Sequence, residues 1–188
     1  MDQLTRLKES LASAPVIFKG DYPYFIHPIT DGVPRLDPVV LSAIIDLIDQ
    51  RVDWSNIDII LGIEAMALPL CAPLAVRGQK PMVVGRKRQY HLEGEIKVDQ
   101  KTGYSKGEIH LNDISHGERV LIVDDVISTG GTLDAVIKGV SECGASVEHV
   151  ITVIEKGPGL EMLKNKHDVR FESLIKVEMD GKEIVFLE

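Results

Sequence analysis

The stretch of sequence that decides the fold is residues 120–132, which read VLIVDDVISTGGT. The apolar residues 120–123 are typical of a buried strand, and they run directly into two carboxylates, Asp124 and Asp125. The glycine pair at 130–131 then opens a helical pattern that continues to about residue 143. A strand, a polar loop and a helix in this order predict one unit of an α/β fold.

Each part of this stretch suits the binding of a phosphorylated sugar. Adjacent carboxylates at the end of a strand can accept hydrogen bonds from a sugar diol. The loop at 128–132 combines hydroxyl donors with glycines, which let the backbone approach an anion closely. The free N–H groups at the start of the following helix also favour negative charge. A tight turn with an ordinary helix cap is the alternative, but it does not account for the acid pair and the glycine pair together. The stretch contains neither the Gly-Lys-Ser/Thr of a P-loop nor a GxGxxG pattern.

Residues 120–132 resemble the 5-phosphoribosyl-1-pyrophosphate (PRPP) signature of type I phosphoribosyltransferases. The resemblance extends from about Tyr24 to Phe171, and it is strongest to the hypoxanthine/guanine enzymes of archaea, which themselves resemble adenine phosphoribosyltransferases. It implies that Asp124 and Asp125 contact the ribose hydroxyls and Mg²⁺, directly or through water. It also makes Asp125 a candidate general acid or base. The loop that would hold the 5′-phosphate comprises Ser128, Thr129, Gly130, Gly131 and Thr132.

The rest of the chain alternates short apolar runs with helical patterns. Helices are predicted at about 1–13, 38–51, 65–76 and 131–143, and buried strands at 57–62, 81–84, 119–123 and 147–154. This order predicts a mainly parallel sheet flanked by helices, with its ligand site at the carboxyl ends of the strands. Prolines predict an irregular segment at 15–37. We also expect a mobile two-stranded excursion at 95–112 and a hairpin at 171–187 that turns at Asp180-Gly181.

The resemblance implies roles for three further segments. The run Gly62-Ile63-Glu64-Ala65 is similar to the family's pyrophosphate loop, which often carries a non-proline cis peptide, and Gly62 would permit such a backbone. The consecutive basic residues Arg86, Lys87 and Arg88 match the position of pyrophosphate-binding cations, although a solvated surface is the alternative for such a run. Residues 97–110 resemble the flexible catalytic loop, in which Tyr104 and Lys106 are candidate catalytic residues.

The choice of base depends on a small hood, which the resemblance places at about 15–37 and 155–188 of a single domain spanning 1–188. Phe25, Ile29 and Lys156 are its candidate base-binding residues. A lysine ammonium only donates hydrogen bonds, so Lys156 suits the O6 acceptor of hypoxanthine or guanine better than the N6 donor of adenine. The implied reaction transfers the phosphoribosyl group of PRPP to a 6-oxopurine. Transfer to adenine or xanthine is the alternative, and orotate is a more distant one.

Bulk properties limit the partners. The chain has 188 residues, 44% of them apolar and 27% charged, and a formal net charge of −8. Because nucleic-acid binding usually needs the opposite charge, we expect small-molecule substrates and no nucleic-acid partner. We also expect no membrane segment and a cytoplasmic location, since no apolar run is long enough to span a bilayer and only two cysteines are present. The resemblance further implies a homodimer. A non-catalytic regulator that retains the phosphoribosyl site is the alternative from another class.

Overall fold

The computed structural model describes residues 2–20, 22–101 and 106–187, without the side chains of Lys19, Tyr22, Lys101 and Lys106. Its elements in chain order are α1 (Gln3–Ala12), β1 (Val16–Lys19), β2 (Tyr22–Phe25), α2 (Pro28–Asp31), α3 (Pro38–Asp49), a 3-10 turn (Trp54–Asn56), β3 (Ile59–Ile63), α4 (Leu68–Gly78), β4 (Met82–Gly85), β5 (Ile96–Lys101), β6 (Lys106–Leu111), β7 (Arg119–Ile127), α5 (Gly131–Glu142), β8 (Ser146–Glu155), α6 (Gly159–Lys164), β9 (Arg170–Asp180) and β10 (Glu183–Leu187).

The central sheet has six strands in the order β10-β9-β8-β7-β3-β4. All neighbouring strands are parallel except β9 and β10, which form the antiparallel hairpin expected at the end of the chain. The predicted fold class, a mainly parallel sheet flanked by helices, is therefore confirmed. The carboxyl ends of β3, β4, β7 and β8 lie at one edge of this sheet, where ligands of such folds bind.

Alternation along the strands divides the apolar residues between two cores. In the first core, Ile60 and Leu121 pack with helices α1, α3 and α4 on one face of the sheet. In the second core, Leu61 and Ile122 pack with α5, α6 and the arm formed by β5 and β6 on the other face. Both faces of a parallel sheet are covered in this way, which explains why its strands read as continuous apolar runs.

The helices begin where local sequence favours it. The carboxylate of Asp37 accepts a hydrogen bond from the backbone N–H of Val39 at 2.7 Å, and Pro38 occupies the first helical position of α3. Proline loses nothing there because its missing N–H would have no partner in the helix. The predicted start of this helix is confirmed.

Residues 15–37 are more ordered than the sequence predicted. β1 and β2 form an antiparallel pair in which Phe18 faces Pro23, and α2 adds one helical turn after them. Proline is tolerated in β2 because the strand belongs to a two-stranded sheet and does not need its N–H for a second neighbour. The expectation of an irregular segment was wrong for these residues.

The end of β7 also differs from the prediction. The strand continues past Val123 to Ile127, and Asp124 pairs in register with Thr152 of β8. The acid pair therefore lies near the end of β7, within the strand, and the polar loop begins later, at Ser128. Short helix α6 was not predicted, because six residues give too few repeats for a helical pattern.

Within the described parts of the chain, no helix is both long and apolar enough to cross a membrane.

Candidate active site

The carboxyl groups of Asp124, which is buried, and Asp125, which is half-buried, mark the carboxyl edge of the sheet. Asp124 is 8% exposed, and its carboxylate accepts a hydrogen bond from the backbone N–H of Asp125 at 3.1 Å. Burial raises the pKa of Asp124 above its usual range. Burial also raises the pKa of Asp125, and the neighbouring charge of Asp124 and the more distant charge of Asp31 raise it further. Both carboxyl groups therefore ionise less readily than usual, and a bound cation or the hydroxyls of a sugar would stabilise their ionised forms.

The loop after β7 ends at Gly130, which caps α5. Gly130 has a φ of 77°, a left-handed conformation that glycine adopts without steric cost. Among the described residues no side chain caps this helix end, so the first N–H groups of α5 can receive an anion. The side chains of Ser128 and Thr129 are exposed beside them. The Nε2 group of Gln100, on β5, donates to Oγ1 of Thr132 at 2.5 Å, which joins the arm to this loop.

The segment after β3 contains a cis peptide bond between Glu64 and Ala65. The carboxylate of Glu64 forms an ion pair with Arg86 at 2.8 Å and accepts a hydrogen bond from the backbone N–H of Lys87. Gly62 was expected to permit the unusual backbone. Instead it lies inside β3, where a Cβ atom would stand 2.5 Å from Sγ of Cys71, so its small size serves helix packing.

The basic run after β4 is held from two sides. The backbone of Arg86 exchanges two hydrogen bonds with His110 of β6, at 3.0 and 2.6 Å. Nε of Arg86 is buried and has no hydrogen-bond partner among the described residues. The guanidinium of Arg88 lies 5.6 Å from the ring centre of Tyr90, whereas Lys87 is exposed. The structure thus brings Arg86 and Glu64 together and leaves Lys87 and Arg88 facing outward from the loop.

The two arm residues proposed for catalysis are not described here. Tyr104 lies outside the described residues, and so does the side chain of Lys106. The flanking strands β5 and β6 are antiparallel, as predicted, and Val98 and Ile109 are buried against the second core.

The candidate site for the base lies where the end of β8 meets β2 of the N-terminal segment. Nζ of Lys156 donates to the backbone oxygen of Pro23 at 3.3 Å and lies 5.2 Å from the ring centre of Phe25. Phe25 and Ile29 are 5% and 1% exposed and pack in the first core. The ring of Tyr24 stacks on that of Phe25 at 6.4 Å. Lys156, Phe25 and Tyr24 are therefore neighbours.

His27 and Asp31 fix the conformation of α2. Nδ1 of His27 accepts from the backbone N–H of Ile29 at 3.2 Å, so the neutral ring donates from Nε2 to Oγ of Ser10 at 2.9 Å. Burial lowers the pKa of His27 to about 4. Asp31 accepts from the hydroxyl of Tyr24 at 2.7 Å and from the backbone N–H of His27 at 3.1 Å. These contacts give His27 a structural role.

The donor set fits a magnesium ion that is shared with a substrate. Among the described residues, no group of three or more His, Cys, Asp or Glu side chains could hold a metal ion. Asp124 and Asp125 offer oxygen ligands and uncompensated charge. Magnesium prefers oxygen ligands and commonly takes most of them from water and substrate phosphates, so two carboxylates are a sufficient protein contribution.

Comparison with known proteins agrees with this geometry. Residues 36–186 match the family model described as the phosphoribosyl transferase domain. The chain is 50% identical over 185 residues to a hypoxanthine/guanine phosphoribosyltransferase of Ferroglobus placidus, covering 97% of each chain. It is 46% identical over 177 residues to a protein of the same name from Aciduliprofundum boonei, covering 94% of this chain and 96% of the relative.

The similar solved structures carry another base in their names. Adenine phosphoribosyltransferase from Rhodothermus marinus has a TM-score of 0.75 at 25% identity, over 93% of this chain and 98% of that one. The enzyme of that name from Thermoanaerobacter pseudethanolicus also has a TM-score of 0.75 at 25% identity, over 90% and 99%. The chain belongs to the phosphoribosyl transferase domain family.

Three contacts at the site were not anticipated from sequence. They are the pairing of His110 with Arg86, the hydrogen bond from Gln100 to Thr132, and the close approach of Gly159 to the loop after β7. The first two join residues that are far apart in the chain, and no local pattern indicates them. The close approach of Gly159 could have been suspected from the run Gly157-Pro158-Gly159 directly after Lys156, because its two glycines allow close backbone contact.

Proposed function

We propose that the protein is a hypoxanthine/guanine phosphoribosyltransferase that serves purine salvage. It transfers the 5-phosphoribosyl group of PRPP to the base and releases pyrophosphate. The observation that carries the proposal is the acid pair of buried Asp124 and half-buried Asp125, followed at Gly130 by a helix start that no described side chain caps. A phosphorylated ribose requires acceptors for its diol and N–H donors for its phosphate at one sheet edge, and this arrangement supports the proposal. The names of the relatives at 46% and 50% identity support the reaction and the 6-oxopurine base.

In the proposed complex, Asp124 and Asp125 hold the ribose hydroxyls and the loop of Ser128, Thr129, Gly130, Gly131 and Thr132 holds the 5′-phosphate. Arg86 faces the pyrophosphate, and Lys87 and Arg88 add positive potential. Glu64 acts through Arg86, because its carboxylate already accepts from that guanidinium. Ala65 follows Glu64 in the cis peptide and completes the pyrophosphate loop.

The reaction forms a bond between N9 of the purine and C1′ of the ribose as the bond from C1′ to the pyrophosphate oxygen breaks. The protein places both reactants and excludes water, and Lys106 and Tyr104 of the arm cover the departing group. Asp125 can accept or give a proton, because a carboxyl group with a raised pKa exchanges its proton closer to neutral pH. Asp124 and Asp125 would hold Mg²⁺ together with PRPP, directly or through water, and the ion would supply positive charge for the leaving pyrophosphate.

For the base we propose recognition by Lys156, with Phe25 and Ile29 in the apolar wall of a hood formed by 15–37 and 155–188 of one domain. A homodimer in the cytoplasm completes the proposal. Adenine is the second candidate base, because the similar solved structures are adenine phosphoribosyltransferases.

The test is nucleotide formation by the purified protein with PRPP, Mg²⁺ and each base in turn. We expect turnover with hypoxanthine or guanine and little with adenine. Lys156→Gln should raise KM for hypoxanthine by about tenfold or more, since it removes a charged donor to O6. The exposed Lys182→Gln is the matched control. Preferential use of adenine would overturn the assignment of the base, and no product from any base would overturn the proposed enzyme.

A further inference from the structure

The turn that follows β8 packs directly beneath the loop proposed to hold the 5′-phosphate. The backbone N–H of Lys156 donates to the oxygen of Ile127 at 2.8 Å, and that of Gly159 donates to the oxygen of Ser128 at 2.8 Å. These hydrogen bonds join the segments that follow β7 and β8, next to the last paired residues of the two strands, Ile127 and Glu155. The turn, residues 157–159, therefore continues the contact of β8 with β7 into the loop.

Gly159 has no room for a side chain. A Cβ atom there would lie 2.5 Å from the oxygen of Ser128, 2.6 Å from the nitrogen of Gly130 and 2.7 Å from the carbonyl carbon of Thr129. All three atoms are backbone atoms, so no side-chain rotation would relieve the overlap. Gly159 is also the first residue of α6, where alanine would be the better helix former. Helix formation therefore does not explain a glycine at this position, whereas the close approach does.

The contact is also tight from the side of the loop. A Cβ atom on Gly130 would lie 3.1 Å from the oxygen of Gly159 and 3.2 Å from Cγ of Leu163, which is buried in the second core. Gly157, with a φ of 102°, brings the turn under Ser128, where a Cβ atom would lie 3.3 Å from the oxygen of that residue. The loop thus rests on a surface that is itself anchored in the core.

We propose that Gly159 is a positioning residue for PRPP binding. Through its close contact with the backbone of Ser128, Thr129 and Gly130, it holds this loop in place. It thereby sets the direction of the N–H groups that receive the 5′-phosphate. The inference rests on the proposed function, and it adds a residue that touches neither substrate. It also links the two substrate sides of the site, because the turn directly follows Lys156.

The test is the steady-state kinetics of Gly159→Ala beside the wild-type protein. Displacing the loop by about 1 Å should raise KM for PRPP by about tenfold or more, because anion binding depends on exact N–H direction. We expect kcat at saturating PRPP and KM for hypoxanthine to stay within about threefold of wild type. The control is Met162→Ala in the same helix, whose side chain is 60% exposed and which should leave all constants unchanged.

Two outcomes would overturn the inference in a folded Gly159→Ala protein. One is an unchanged KM for PRPP. The other is an equal rise in KM for both substrates together with a Tm below that of wild type, which indicates a general structural defect. A wild-type protein that shows no turnover would refute the proposed function instead, and the two failures are thus distinct.

Should the variant fail to fold, hydrogen exchange of the wild-type protein decides. We expect PRPP with Mg²⁺ to slow amide exchange in 157–163, since ordering of the loop stabilises the hydrogen bond from Gly159 to Ser128. Hypoxanthine alone should not have this effect. Unchanged exchange in this peptide, in a sample where the peptide containing 128–132 becomes protected, would overturn the inference.

Discussion

The carboxyl groups of Asp124 and Asp125 oppose folding when both are ionised. A carboxyl group with a raised pKa in the folded state contributes most stability below its unfolded pKa, near 4, and loses that contribution as pH rises through the folded value. Asp125→Asn removes one charge of the pair. We therefore expect the variant to be more stable than wild type at pH 8, by about 1–3 kcal/mol, with the difference vanishing near pH 4.

Urea denaturation at several pH values measures this effect. The exposed Asp180→Asn is the control and should show no such pH trend. The same Asp125→Asn protein should lose phosphoribosyl transfer, so that stability and activity change in opposite directions. A variant that is less stable than wild type at every pH would contradict the interpretation of the pair as a site of unfavourable charge.

Single residues also show how far sequence alone carries the site. The acid pair and glycine loop could be located because all of their chemistry lies within 120–132. The ion pair of Glu64 with Arg86 could not be predicted, because this 2.8 Å contact joins residues that follow two different strands. Its carboxylate was predicted as a PRPP contact on the strength of its position, whereas the geometry makes it an acceptor for the basic run.

At the scale of the element, helix α2 depends on His27. The ring caps the helix and bonds Ser10 of α1, and it does both only when neutral. Because burial lowers its pKa to about 4, this contribution is complete above pH 6.5 and is lost as pH falls toward 4. His27→Ala should reduce stability at pH 7.5 by roughly 1–3 kcal/mol, since it leaves buried hydrogen-bonding groups without a partner.

Thermal unfolding over this pH range is the measurement. The difference in Tm between wild type and His27→Ala should narrow toward pH 4, while the exposed His91→Ala should match wild type throughout. A difference that stays constant with pH would mean that the ring stabilises α2 through packing alone.

Elements were predictable where a pattern repeats over enough residues. Helix α3 and helix α5 begin at their predicted positions, and the hairpin of β9 and β10 follows its alternating apolar residues. β1 and β2 were missed because the prolines in 15–37 masked two strands of only four residues each. β7 was predicted too short because two carboxylates ordinarily end a buried strand, whereas here the strand continues past them, with Asp124 paired with Thr152 and Val126 paired with Ile154.

The whole molecule carries a formal net charge of −8, which disfavours binding to nucleic acid. We expect no shift in the fluorescence anisotropy of a labelled DNA duplex at micromolar protein and low salt, because an acidic surface repels the phosphate backbone. A basic DNA-binding protein serves as the positive control. Binding that weakens steeply with added salt would favour the regulator over the transferase.

The packing of residues 157–159 against the phosphate loop limits how this protein can diversify. In the proposed function, base preference depends on the Lys156 side chain, and its exchange leaves the turn intact. An inserted or deleted residue in the turn would shift Gly159 out of its 2.8 Å hydrogen bond with Ser128 and disturb the other substrate. In an engineered or evolving lineage, new specificity on this side of the site is thus accessible through substitution, while changes of loop length are selected against.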